Sequence, residues 1–224
     1  MDLTQALTPG LTQGLIQGLD ILSVAIFALT GALVASRSQL DIVGFLFVAC
    51  LTAVGGGTLR DLLLNRDQVF WVADPAILLA AVVAAVLVFF TAHLLESRYR
   101  AILWLDAFAL AVAVPAGVGV ALGMGQHWAI VLVMGVSTGC FGGLMRDVVC
   151  NEVPLVLKQG EIYATAAFAG AGAAVVAGLA GLEGGQALLI CGAVTFLLRA
   201  GAIAFGWGLP IYRNRPPRPE SPKR

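Results

Sequence analysis

Charge is scarce in this chain. Asp, Glu, Lys and Arg make up 12% of its residues, where a soluble domain carries about 25%. So few charges cannot cover a surface that faces water. With 59% hydrophobic residues and a mean hydropathy of +0.93, the chain reads as an all-α polytopic membrane protein. The charges also balance, 13 basic against 13 acidic. The lack of a basic excess argues against a nucleic-acid partner. Cysteine is sparse as well. Cys50, Cys140, Cys150 and Cys191 fall within or at the end of apolar runs, and none forms a CxxC pair. Neither a disulfide framework nor a structural metal is expected, and the four read as small buried hydrophobes. No nucleophile–base or metal-ligand constellation stands out, so no enzyme activity and no cofactor are expected. His93 and His127 fall near span ends and read as bystanders. No basic region precedes the first apolar run, so a cleaved signal peptide is not expected.

One motif is present twice. Gly56-Gly57-Thr58-Leu59-Arg60-Asp61 returns as Gly142-Gly143-Leu144-Met145-Arg146-Asp147, shifted by 86 positions. The same shift of 86 maps Leu19-Asp20 onto Leu105-Asp106, Gly31 onto Gly117 and Asn65 onto Asn151, without a gap. This is one unit duplicated. Each copy sets helix-weakening glycines and an Arg-Asp pair inside an apolar stretch. In a membrane that combination marks a passage for polar solutes.

A spanning helix needs about 20 mostly apolar residues. Intervals between charges place spans at Ile21–Ser36, Ile42–Leu59 and Pro75–Leu95. Ala107–Met145 carries no charge and is too long for one span; Gly123-Met124-Gly125-Gln126-His127 is its turn, giving spans four and five. Ile162–Leu182 is the sixth, and Gln186 to about Trp207 the seventh. The expected organisation is an extracytoplasmic segment 1–18, repeat 1 over 19–97, repeat 2 over 104–182, span seven over 186–209, and a disordered cytoplasmic tail over 210–224. Three spans per copy is odd, so the copies are inverted, with the seventh helix outside the 3+3 repeat. Loops on the N-terminal face carry Arg66 alone, against Arg37, Arg98, Arg100, Lys158 and the tail cations on the other. By the positive-inside rule the C-terminus is cytoplasmic and the N-terminus outside. Trp71, Trp104, Trp128 and Trp207 near span ends fit an aromatic belt.

Gly55 lies about 14 residues, or about 21 Å, beyond the start of span two, within a core about 30 Å thick. Three successive glycines each weaken the helix by about 1 kcal/mol relative to alanine. A local break or kink is therefore expected at Gly55, Gly56 and Gly57, and again at Gly142 and Gly143. The freed carbonyls near Ala53 and Val54, and near Cys140 and Phe141, would be helix C-termini that favour a cation. Arg60 and Arg146 oppose this with full positive charge. Their expected partners are Asp20 or Asp61, and Asp106 or Asp147, which would turn them into neutralised struts or gates. The blander readings are close helix packing by the glycines and snorkelling arginines. Arg199 lies deep in span seven, where a charge is functional or paired; Asp147 is its candidate partner. Thr30, Ser137 and Thr138 could line a polar path or bond their own backbones.

Seven spans, a three-plus-three repeat, and GGGTLRD from Gly55 answered by FGGLMRD from Phe141 resemble the prokaryotic members of the trimeric intracellular cation channel family. The resemblance covers about residues 19–207. It implies a homotrimer in membrane lipid, with a pore in each protomer that passes monovalent cations, mainly potassium. It also implies a pore lined by the glycine motifs of spans two and five. The carried-over residues are Gly55, Gly56, Gly57, Arg60 and Asp61, then Gly142, Gly143, Arg146 and Asp147. Phe141 departs by standing where the first copy has Gly55, as an apolar plug or a weaker kink. Small residues such as Gly117, Gly119, Gly170 and Gly172 could serve close helix approach within a protomer or between protomers. Animal members are associated with a voltage-responsive basic residue in span four; Ala107–Leu122 has none. A close sequence relationship to transporters of glycine or other small solutes implies a rival, alternating access. A scaffold without transport is the third reading.

Overall fold

Several of the long apolar runs are bounded by residues suited to starting or stopping a helix. α2 (Ile42–Leu63) begins after Asp41, whose carboxylate accepts from the Gly44 N–H at 2.8 Å. At its far end Asn65 sits in the left-handed region (φ 50°), and α6 (Trp128–Val149) closes the same way at Asn151 (φ 54°). Both ends form the paired closing bonds of a Schellman turn. Arg66 N–H donates to the Asp61 carbonyl (3.0 Å) and Asn65 N–H to Leu62; Glu152 N–H donates to the Asp147 carbonyl (2.8 Å) and Asn151 N–H to Val148. Asparagine tolerates this conformation better than most residues. His127 precedes α6, and its ring nitrogen accepts from the Ala129 N–H.

A computed structural model describes residues 9–211 apart from Glu96. Its helices are α1 (Pro9–Arg37), α2, α3 (Phe70–Ala73), α4 (Ala76–Thr91), α5 (Arg98–Gly123), α6, α7 (Ala164–Leu179) and α8 (Gly184–Phe205), with single 3₁₀ turns at Ala92–Leu94 and Leu155–Leu157. Residues 9–18, expected to precede the first span, are already helical. Residues 1–8 of that segment, and 212–224 of the expected disordered tail, lie outside the described residues.

Among the described residues, six helices are long and apolar enough to cross a membrane: α1, α2, α4 with its 3₁₀ extension, α5, α6 and α8. The helix α7 has 16 residues, about 24 Å at 1.5 Å per residue, short of a core of about 30 Å. The charge-free interval Ile162–Leu182 is longer than this helix because Gly181 (φ 85°) turns the chain just after it. Apolar side chains such as Phe47, Leu87, Leu189 and Phe205 point outward, the reverse of a soluble surface.

Of the expected break or kink at the glycines, the break does not occur. α2 runs unbroken through Gly55, Gly56 and Gly57, and α6 through Gly142 and Gly143. The half-helix carbonyl ends at Ala53–Val54 and Cys140–Phe141 are therefore not formed. Propensity is a weak local term that tertiary packing overrides, and Gly56 and Gly142 lie against another backbone while Gly55, Gly57 and Gly143 lie against side chains.

The helices pack in a repeating order. α1 meets α2 and α5, α2 meets α6, α5 meets α6 and α8, and α6 and α8 both meet α7. One apolar cluster joins α1, α2 and α4 through Val24, Leu33, Phe45, Val48, Ile77 and Ala81. The other joins α5 to α8 through Leu110, Val114, Val131, Met134, Ala171 and Leu188.

Candidate functional site

The α2–α6 crossing is built on glycine. A Cβ at Gly56 would collide with the carbonyl oxygen of Thr138, and one at Gly142 with the carbonyl oxygen of Thr52. Thr138 and Gly142 stand 86 positions after Thr52 and Gly56, so the two contacts are the same contact made reciprocally. The neighbouring crossings repeat the pattern. A Cβ at Gly31 would stand 2.8 Å from the Val48 carbonyl, and one at Gly117 would stand 2.6 Å from that of Met134. The hydroxyls of Thr52 and Thr138 turn back on those same two carbonyls, each at 2.6 Å. A Cβ at Gly55 would meet the Met145 methyl and one at Gly57 the Phe70 ring, whereas Phe141 and Ser137 are half-buried on α6.

A charged cluster flanks the crossing on each side. In the first, Arg60 is fully buried. Its two terminal nitrogens donate to both oxygens of Asp20 (2.7 and 3.2 Å), and its Nε donates to Asp61 (2.8 Å). Asp61 also accepts from Arg66 (3.2 Å) and from the Phe70 N–H (2.8 Å). The Phe70 ring lies under the guanidinium at 5.4 Å. In the second cluster Arg146, also fully buried, donates from Nε to Asp147 (2.7 Å) and from Nη1 to Asp106 (2.9 Å). Asp147 accepts in turn from the Leu155 N–H at 2.9 Å. A buried charge is tolerated when it is paired and its remaining hydrogen-bonding capacity is used. Thr30 of α1 joins this second cluster by accepting from Arg146 Nη1 at 3.0 Å while donating to the Phe27 carbonyl. Its counterpart in the other copy is Ala116, so this link is made once.

A narrow cavity of about 10 Å³ lies beside the crossing, lined by Asp20, Phe27, Gly56, Gly57, Phe70 and Thr138 among others. That is room for about one water molecule.

Arg199 does not meet Asp147. Its Nη1 pairs with Glu161 and also reaches the Ile162 carbonyl (3.4 Å), and its guanidinium covers the Tyr163 ring at 5.1 Å. The loop before α7 brings Glu161 to this pair, held by a bridge to Gly208 and by the Leu209 N–H donating to the Gly160 carbonyl at 2.9 Å. Sequence reasoning missed Glu161, Tyr163 and the role of Arg66. Arg66 was legible as a charge five positions after Asp61; nothing in the spacing ties position 161 to 199.

The sequence model of a family described as Glycine transporter matches residues 17–93 and again 103–178. The two matches begin 86 positions apart (103 − 17), the repeat shift itself. A UPF0126 membrane protein of Vibrio cholerae serotype O1 is 38% identical over 198 residues, 87% of this chain and 81% of the relative. The UPF0126 inner membrane protein YadS of Escherichia coli K12 is 43% identical over 156 residues, 68% of this chain and 73% of the relative. Among solved structures, the TRIC trimeric intracellular cation channel orthologue from Rhodobacter sphaeroides superposes with a TM-score of 0.81 at 46% identity, covering 84% of this chain and 96% of that one. A second TRIC cation channel, solved in a study of conductance, superposes with a TM-score of 0.80 at 27% identity, covering 88% and 97%. These neighbours are ion channels, not enzymes.

Proposed function

This chain belongs to the trimeric intracellular cation channel family, and from that premise we propose that it passes monovalent cations, potassium among them, through a path in each protomer of a homotrimer. The reciprocal Gly56–Thr138 and Gly142–Thr52 contacts carry this reading. They support it by bringing α2 and α6, one from each copy, into backbone contact, each helix also carrying an arginine paired with aspartates. The cavity beside Gly56 is then the narrowest part of a closed path, and conduction requires α2 and α6 to part. The glycines serve as close-approach points rather than as helix breaks.

The charges favour a cation. The first cluster sets Arg60 and Arg66 against Asp20 and Asp61. The second sets Arg146 and Arg199 against Asp106, Asp147 and Glu161. One side is neutral and the other carries a single negative excess. We read α1, α2 and α4 as one copy and α5, α6 and α7 as its inverted partner, with α7 the sixth and shortest span and α8 the seventh, outside the repeat. The loop cations favour a cytoplasmic C-terminus and an outside N-terminus in the inner membrane.

The test is flux from liposomes holding the purified protein. Potassium should run down its gradient at rates well above carrier turnover. The family's description as Glycine transporter, together with a path closed to about one water, favours a second reading, alternating access for a small solute. Saturable glycine uptake with no ion current would establish that reading and overturn the channel.

A further inference from the structure

Four buried side-chain atoms among the described residues have no hydrogen-bond partner: Asp106 Oδ2, Tyr163 Oη, and Arg199 Nε and Nη2. They share one neighbourhood. Arg199 covers the Tyr163 ring, and both of its bonds fall on Nη1, toward Glu161 and the Ile162 carbonyl. The Tyr163 hydroxyl borders Gly143, 3.2 Å from where its Cβ would stand, and Asp106 borders it through Oδ1, the oxygen that Arg146 holds, at 3.7 Å. Buried polar atoms in native proteins are paired, and those without a protein partner take ordered water. Donors on Arg199, an acceptor on Asp106 and a hydroxyl between them supply the several polar partners that such water needs.

The first copy lacks this arrangement. Both oxygens of Asp20 are held by Arg60. Ile77 and Pro75 stand 86 positions before Tyr163 and Glu161, and α8, which supplies Arg199, lies outside the duplication. At the outer end the Glu161 side chain is 30% exposed. It borders two surface hollows of about 370 and 420 Å³.

We propose that Asp106, Tyr163 and Arg199 hold bound water, and that this wetted column, opening at Glu161, is a branch by which a monovalent cation reaches the Arg146 cluster. The water is argued from the orphaned atoms; use of the column by an ion rests on the channel reading above. Asp106 Oδ2 and Tyr163 Oη are oxygens that can replace part of a cation's water shell. Glu161, neutralised by one face of Arg199, offers its exposed face to the incoming ion.

Hydroxyl-radical footprinting of the unmodified full chain in nanodiscs tests the water. Tyr163 should oxidise at a rate comparable to that of the exposed Tyr99. Cys191 and Met134, buried in the same apolar cluster as the Tyr163 ring but without an orphaned polar atom, should stay protected despite their greater intrinsic reactivity. Tyr163 as protected as Cys191 overturns the column, and this readout holds whether or not any variant folds. Liposome flux tests the ion. Glu161→Gln should lower potassium flux about three-fold at low salt, with the deficit shrinking as salt screens the lost charge. Unchanged flux at low salt in folded Glu161→Gln overturns the branch. Labelled Tyr163 in a wild-type protein that passes no potassium leaves the water in place and overturns the channel reading instead.

Discussion

Gly56 of α2 lies flat against the carbonyl oxygen of Thr138 on α6, with no room for a single carbon between them. Its equivalent 86 positions on, Gly142, lies against Thr52. Alanine at either position must push one backbone off the other, because a carbonyl in a helix cannot rotate away. Overpacking of this kind costs about 1–3 kcal/mol. Gly56→Ala and Gly142→Ala should each lower the thermal midpoint in detergent, and the channel reading adds a potassium leak. Gly172→Ala is the control, since its Cβ would meet nothing within 4 Å, and helix propensity alone should stabilise it by up to about 1 kcal/mol. Equal midpoints for Gly56→Ala and Gly172→Ala would show that the crossing is not tight.

Much of this site was legible because a duplicated contact is written twice. Arg60 and Asp20 are 40 positions apart, and so are Arg146 and Asp106. One unexplained arginine in a span has many candidate partners, but two with the same offset have few. The helix break was misread for a related reason. Glycine propensity is a property of one helix, whereas the Gly56–Thr138 contact is a property of two. The partner of Arg199 was hidden because Glu161 lies in a loop, where no helical period links it to α8. The short helix α3 and the early end of α7 depend on turn geometry inside charge-free stretches, which charge spacing does not register.

Asn65 and Asn151 test whether the helix ends matter equally in both copies. Each is in the left-handed region at the close of a Schellman turn. Alanine there costs about 1–2 kcal/mol, and glycine does not. Asn65→Ala and Asn151→Ala should both lower the thermal midpoint, and Asn65→Gly and Asn151→Gly should restore it. Tolerance of alanine at either site would mean that the turn relaxes to another geometry.

Thr30 links the first copy to the arginine of the second. Thr30→Val keeps the shape and removes the oxygen that accepts from Arg146. A buried donor left with one partner fewer costs about 1–3 kcal/mol. Thr30→Ser keeps the hydroxyl and should recover most of the loss. If the serine variant is as unstable as the valine variant, the threonine acts by packing its methyl group, and the bond to Arg146 is incidental.

Asp106→Asn removes the charge that answers Arg146 across two helices. Asp147 remains, but it is also engaged by the Leu155 N–H, so the guanidinium keeps one carboxylate where it had two. Breaking a buried pair at one partner costs about 3–5 kcal/mol when the other charge is left uncompensated, and the Asp147 that stays on Arg146 lowers the cost toward the bottom of that range. Asp41→Asn supplies the contrast. Asp41 caps α2 through its bond from the Gly44 N–H, and asparagine caps about as well as aspartate. Asp106→Asn should therefore fall far below wild type in thermal midpoint and in recovered folded protein, while Asp41→Asn should match it. Asp20→Asn should behave like Asp106→Asn, since Asp20 holds Arg60 with both oxygens. Wild-type midpoints for Asp20→Asn and Asp106→Asn together would mean that neither arginine depends on its pair, and the neutralised clusters would lose their place in the path.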